Sequence, residues 1–120
     1  MGTATDNEWR TPMPRLRAVE PDEADPKAKR LLEGAQTKLG VTPNLIRSVA
    51  NSPAVLDAYL GFSSSLGQSS LSPKLREQIV LTVGEANRCQ YCLAAHSALG
   101  KMAGLGDEEI ADSRRAISPD

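Results

Sequence analysis

The chain has 120 residues, with 14 Lys plus Arg against 15 Asp plus Glu and a formal net charge of −1. That balance, with aromatics at only 3%, excludes a surface built to track phosphates or stack bases, so nucleic acid is not an expected partner. No apolar run approaches the length of a membrane span and no basic-then-apolar leader opens the chain, so a cytoplasmic domain with a modest core is expected.

Residues 1–20 read as a flexible arm, kept extended or turning by Pro12, Pro14, Pro21 and Pro26. Residues 21–120 read as one helical domain. Asp25 suits an N-cap, Pro26 the first helical position and Gly40 the stop. Between them Ala28, Leu31, Leu32, Ala35 and Leu39 fall on one stripe. A Ser/Thr-Pro start recurs at Thr42-Pro43, Ser52-Pro53 and Ser72-Pro73. It predicts a short helix over 43–50 and a second over 53–66, stopping at Gly67 and carrying Val55, Tyr59, Phe62 and Leu66. A third, over 73–87, carries Leu75, Ile79, Val80 and Val83. A helix from about 89 to Met102, ended by Gly104, carries Cys92, Ala95, Leu99 and Met102. Asp107 is expected to cap a last helix through Ile110 and Ile117. No segment alternates with period two for long enough to be a strand, so the expected fold is all-α, a bundle of about six helices. Stripes of this kind ordinarily pack a core. Those over 53–66 and 73–87 exceed what one short chain is expected to cover, and such an excess marks an interface.

Cys89-Gln90-Tyr91-Cys92-Leu93-Ala94-Ala95-His96 holds both cysteines and the only histidine. On a helix, side chains three and four apart share a face. Two thiols and an imidazole then converge, which supplies a sulfur to attack, a sulfur to resolve and a base to move the proton. Structural zinc wants four ligands where this cluster offers three, and a CxxC loop is too short to staple a fold. Simple packing of two buried cysteines beside a hydrogen-bonded histidine is the bland alternative. In a chain without a leader, two cysteines so spaced favour redox chemistry.

The two cysteines have different natural roles. Cys89 lies near the helix start, where unpaired N–H groups favour a thiolate. Cys92 has His96 at i+4 to take its proton, so it is suited to attack a peroxide or another sulfur. Cys89 is then suited to condense with the resulting sulfenic acid. A thioredoxin-like order would reverse the pair. An imidazole relay also wants a carboxylate. Glu77 has Val80 and Leu81 as i+3 and i+4 neighbours, an odd place for an acid without a buried partner. Glu85 is the weaker candidate, because Arg88 at i+3 offers it a surface ion pair.

Leu75-Arg76-Glu77-Gln78-Ile79-Val80-Leu81, followed by Glu85-Ala86-Asn87-Arg88-Cys89-Gln90-Tyr91-Cys92-Leu93-Ala94-Ala95-His96-Ser97, resembles the core of the AhpD-like alkylhydroperoxidases of the carboxymuconolactone decarboxylase superfamily. The resemblance covers residues 53–104. It implies an all-helical, cofactor-free homo-oligomer, commonly a trimer or hexamer. It also implies that Cys92 attacks peroxide, Cys89 is its partner, His96 relays protons and Glu77, twelve residues before the first cysteine, completes the relay. The implied substrate is a hydroperoxide, and the implied reductant an external dithiol such as dihydrolipoamide or a thioredoxin-like protein. The decarboxylase branch lacks the cysteine pair, so both cysteines favour the redox branch. In two respects the chain departs from the pattern. Gln90-Tyr91 stands where some members place a second histidine, and longer members continue with another helical segment where this chain ends at Asp120. The expected function is a thiol-dependent hydroperoxidase; the alternatives are a general thiol–disulfide oxidoreductase and a non-enzymatic helical oligomerisation module.

Overall fold

The structure is a computed structural model and describes residues 14–117. Among the described residues are six α-helices and no strand: α1 (Pro26–Leu39), α2 (Asn44–Val49), α3 (Pro53–Gly67), α4 (Pro73–Ala86), α5 (Gln90–Met102) and α6 (Asp107–Arg114), preceded by a 3-10 turn over Pro21–Glu23. The all-α expectation holds. The chain divides into two compact units that meet inside α3, between Ser64 and Ser65.

In the first unit the capping chemistry works as the sequence predicts. The Asp25 carboxylate accepts the Lys27 N–H at 2.9 Å, Pro26 opens α1, and Gly40 closes it at φ 75°. Leu32, Ala28, Ala35, Ile46, Ala50, Leu56 and Val19 form the core. Val19 belongs to the expected arm, whose first thirteen residues lie outside the described ones. Here the arm is tied down: the Val19 N–H donates to the Arg47 carbonyl at 3.0 Å, and Arg47 Nε returns a bond to the Val19 carbonyl at 3.1 Å. Thr42 does not cap α2. Its hydroxyl donates to Gln36 Oε1 at 2.9 Å, and Pro43 takes the N-cap position without a side-chain bond.

In the second unit α4, α5 and α6 close around Leu81, Leu93, Leu105 and Ile110. Much of the apolar excess expected over 53–66 and 73–87 lies exposed. Leu75, Ile79 and Val83 are exposed, as is Met102 at 76%; the buried side of α4 is the one that carries Leu81 and Gly84. In the first unit Val55, Tyr59 and Phe62 are likewise exposed, with Leu56 buried instead.

All three helices end in the same way. Past α4 the Cys89 N–H donates to the Gly84 carbonyl at 2.9 Å and Arg88 to Glu85 at 2.9 Å; past α5 Leu105 donates to Gly100 at 2.9 Å and Gly104 to Lys101 at 3.0 Å; past α6 Ile117 donates to Asp112 at 2.9 Å and Ala116 to Ser113 at 3.1 Å. This paired capping needs one residue in the left-handed region. Gly104 supplies it at φ 92°, but Arg88 and Ala116 adopt it at φ 52° and 54°. The last helix therefore stops at Arg114 rather than running to Ile117. At its other end Gly106 is the N-cap, and the Glu109 carboxylate accepts the Gly106 N–H at 2.8 Å. Asp107 is the first helical residue rather than the cap. The Lys101 ammonium, 2.8 Å away, hydrogen-bonds the Asp107 carboxyl and holds it below the usual carboxylate range.

A left-handed non-glycine residue costs about 1 kcal/mol. Arg88→Gly should therefore raise the unfolding free energy in urea by about 0.5–1 kcal/mol, and a loss of stability would contradict this account of the turn.

Candidate active site

The turn after α4 delivers Cys89 directly to the N-cap of α5. There its sulfur accepts the Cys92 N–H at 3.2 Å, the bond that a serine or aspartate side chain would normally take. Cys89 and Cys92 are joined as a disulfide. Both are partly buried, so the pair sits at the molecular surface without projecting from it.

Helix α4 runs antiparallel to α5 and brings the remaining groups. Glu77 Oε2 stands 2.8 Å from His96 Nδ1, with the two side chains 19% and 29% exposed. A carboxylate only accepts, so Nδ1 carries the proton of this bond, and in the neutral ring Nε2 keeps the lone pair. His96 lies one turn beyond Cys92 on α5. Among the five expected residues the structure shows two bonded pairs, Cys89 with Cys92 and Glu77 with His96.

Glu85 is engaged elsewhere. Its Oε2 accepts from Arg114 Nε at 2.5 Å, on a groove it shares with Ala111 and Arg115. The expected partner, Arg88, has left the helix for its left-handed turn, which removes it from the i+3 position. Among the described residues no three His, Cys, Asp or Glu side chains gather as a metal-binding set.

Two glycines lie where α4 and α5 pack. A β-carbon at Gly84 would lie 3.4 Å from Cys92 Cβ, and one at Gly100 would lie 3.1 Å from Leu105 Cδ1 and 3.8 Å from Glu77 Cβ. Both are buried. The available signal was an isolated glycine inside each helical pattern, which costs about 1 kcal/mol against alanine and so asks for a packing reason.

Residues 53–120 match the Carboxymuconolactone decarboxylase family. That is more than half of the chain, and the chain belongs to this family. Its structure is similar to that of the alkylhydroperoxidase AhpD core from Rhodospirillum rubrum, 27% identical in sequence, with a TM-score of 0.76 over 88% of this chain and 82% of that one. No curated protein matches the sequence. No described helix is long and apolar enough to cross a membrane.

If His96 takes the proton of Cys92, His96→Ala should slow alkylation of reduced Cys92 at neutral pH by about a hundredfold, the low end for a lost general base. Glu77→Ala should slow it in the same direction, while Glu85→Ala leaves it unchanged. A rate indifferent to His96 would remove the histidine from the chemistry.

Proposed function

We propose that this protein is a thiol-dependent hydroperoxidase that works through Cys89 and Cys92, with His96 and Glu77 as proton relay. One observation carries the reading: the Glu77–His96 hydrogen bond at 2.8 Å orients an imidazole one turn along α5 from a cysteine pair already joined as a disulfide. Family membership and likeness to an alkylhydroperoxidase core support it.

In the oxidative half, the Cys92 thiolate attacks the terminal oxygen of the hydroperoxide. The O–O bond breaks, Cys92 becomes the sulfenic acid, and the alkoxide leaves as the alcohol with a proton from His96. The Cys89 thiolate then attacks the Cys92 sulfur, and hydroxide leaves with a proton as water. In the reductive half an external dithiol, dihydrolipoamide or a thioredoxin-like protein, gives two electrons and two protons and is itself closed to a disulfide. The setting is the reducing cytosol, and no bound cofactor enters.

One observation favours a second reading, thiol–disulfide exchange in the thioredoxin-like order. The sulfur that accepts a backbone N–H at the helix start belongs to Cys89, and such a bond stabilises a thiolate. Single mutants separate the two. Cys92→Ser should abolish peroxide consumption, whereas Cys89→Ser should react once and leave a trappable sulfenic acid at Cys92. The reverse pattern would establish Cys89 as the attacking sulfur.

The working unit is a homo-oligomer, trimer or larger. The support lies in the apolar side chains left exposed on α3 and on α4, the latter lining a groove of about 310 Å³ between Leu75, Ile79, Val83 and Ile117. Light scattering at micromolar concentration should show an oligomer that loses activity on dissociation, and a stable, active monomer would contradict it.

A further inference from the structure

We infer that Arg88 selects the reductant, favouring a dithiol that also carries a carboxylate; the inference rests on reading the Cys89–Cys92 pair as redox-active. Arg88 immediately precedes Cys89 and is exposed. Its backbone sits at φ 52°, where glycine is at ease and where asparagine, aspartate and histidine are the commoner exceptions. The matching turn after α5 uses Gly104. A long cationic side chain held at a strained position that glycine would suit better points to a function for that side chain.

The fold does not use the Arg88 guanidinium. Its i−3 neighbour Glu85 accepts from Arg114 instead, and Asp112 accepts from Arg115. Glu85, Arg114 and Arg115 line one groove, and the Arg88 N–H donates to the Glu85 carbonyl at 2.9 Å, so the turn that delivers Cys89 lies beside that groove. Among the described residues the Arg88 guanidinium has no hydrogen bond or ion pair. The arginines Arg88, Arg114 and Arg115 thus outnumber the carboxylates Glu85 and Asp112 by one, and the uncompensated charge is on the residue next to Cys89.

A reducing dithiol attacks as a thiolate. One of its sulfurs bonds to a sulfur of the pair while the other cysteine leaves as a thiolate. The reductant's second sulfur then closes on its first and releases the remaining cysteine, so two electrons and two protons pass to the protein pair. Every dithiol brings that thiolate, which therefore gives no selectivity. A carboxylate on the same molecule adds a second anion for Arg88 to attract. Consecutive α-carbons are about 3.8 Å apart, so an unpaired guanidinium on residue 88 reaches the approach to Cys89 on the scale of the Debye length, about 8 Å at physiological salt. One opposite charge at about 4 Å in water corresponds to a preference of about fivefold.

The test is single-turnover reduction of the preformed Cys89–Cys92 disulfide by dihydrolipoate and by dihydrolipoamide, which share a dithiol and differ in a carboxylate against a neutral amide. Samples are quenched with an alkylating reagent, and the alkylated fraction is read by mass spectrometry. Comparing the acid-to-amide rate ratio between proteins cancels the intrinsic reactivity of the two reagents. That ratio should fall about fivefold from wild type to Arg88→Gln. Arg88→Lys keeps a cation at the same left-handed position and should hold the ratio within about twofold of wild type. In about 1 M salt, where the Debye length is ~3 Å, the wild-type ratio should drop to that of Arg88→Gln. An unchanged ratio in Arg88→Gln, an equally low one in Arg88→Lys, or a wild-type ratio indifferent to salt would overturn the inference. A disulfide that neither dithiol reduces would overturn the redox reading of the pair along with it. Peroxide takes no part, so a failure of the hydroperoxidase reading alone would leave these rates interpretable.

Discussion

How near two helices can come decides whether a carboxylate on one can meet an imidazole on the other, and here that distance is governed by the packing of α4 against α5. Gly84 and Gly100 bring bare backbone to the contact, where an added carbon would stand 3.4 Å from Cys92 Cβ and 3.8 Å from Glu77 Cβ respectively. Leu81 and Leu93 fill the space between. Within that frame Glu77, only 19% exposed, reaches His96 at 2.8 Å. A carboxylate so withdrawn from water needs a bonded partner, and a hydrogen bond to a charged group contributes about 1.5–3 kcal/mol. The apolar contact and the polar bond are therefore mutually dependent: the leucines hold the helices together, and the bond makes it tolerable to place an acid among them.

The turn between the same two helices sets the chemistry of the other pair. By entering the left-handed region, Arg88 lets the Cys89 N–H close on Gly84 and places the Cys89 sulfur at the start of α5, over the Cys92 N–H. The Cys89 sulfur then has a backbone donor, and Cys92 has His96 one turn along α5. One sulfur must attack and the other must leave well when the disulfide is reduced. A helix-capping Cys89 thiolate would leave well if a dithiol attacked the Cys92 sulfur.

Much of this was legible in the residues. Asp25-Pro26, Ser52-Pro53 and Ser72-Pro73 marked helix starts whose side chains do accept backbone N–H groups. Glu77 was conspicuous because an acid beside Val80 and Leu81 asks for a partner. What escaped was what local pattern does not encode. Arg88 and Ala116 occupy turns that a sequence reading assigns to glycine. Leu81 stands off the Leu75, Ile79 and Val83 stripe of α4, so periodicity selects that stripe and not the side that is buried. Glu85 found Arg114, twenty-nine positions away, because its neighbour Arg88 had turned out of the helix. Spacing put His96 one turn from Cys92 and so favoured Cys92 as the attacking sulfur, and the family resemblance implies the same order.

The central claim is that peroxide closes the Cys89–Cys92 bond and a dithiol reopens it. The most direct measurement is intact-protein mass spectrometry of the fully reduced protein, before and after one equivalent of an organic hydroperoxide and then after dihydrolipoamide. The account predicts loss of two hydrogen masses with the change located to Cys89 and Cys92, one alcohol formed per disulfide, and full return of both thiols on adding the dithiol. Thiols that survive the peroxide untouched, or oxygen adducts that accumulate on Cys92 without closing to the disulfide, would contradict it.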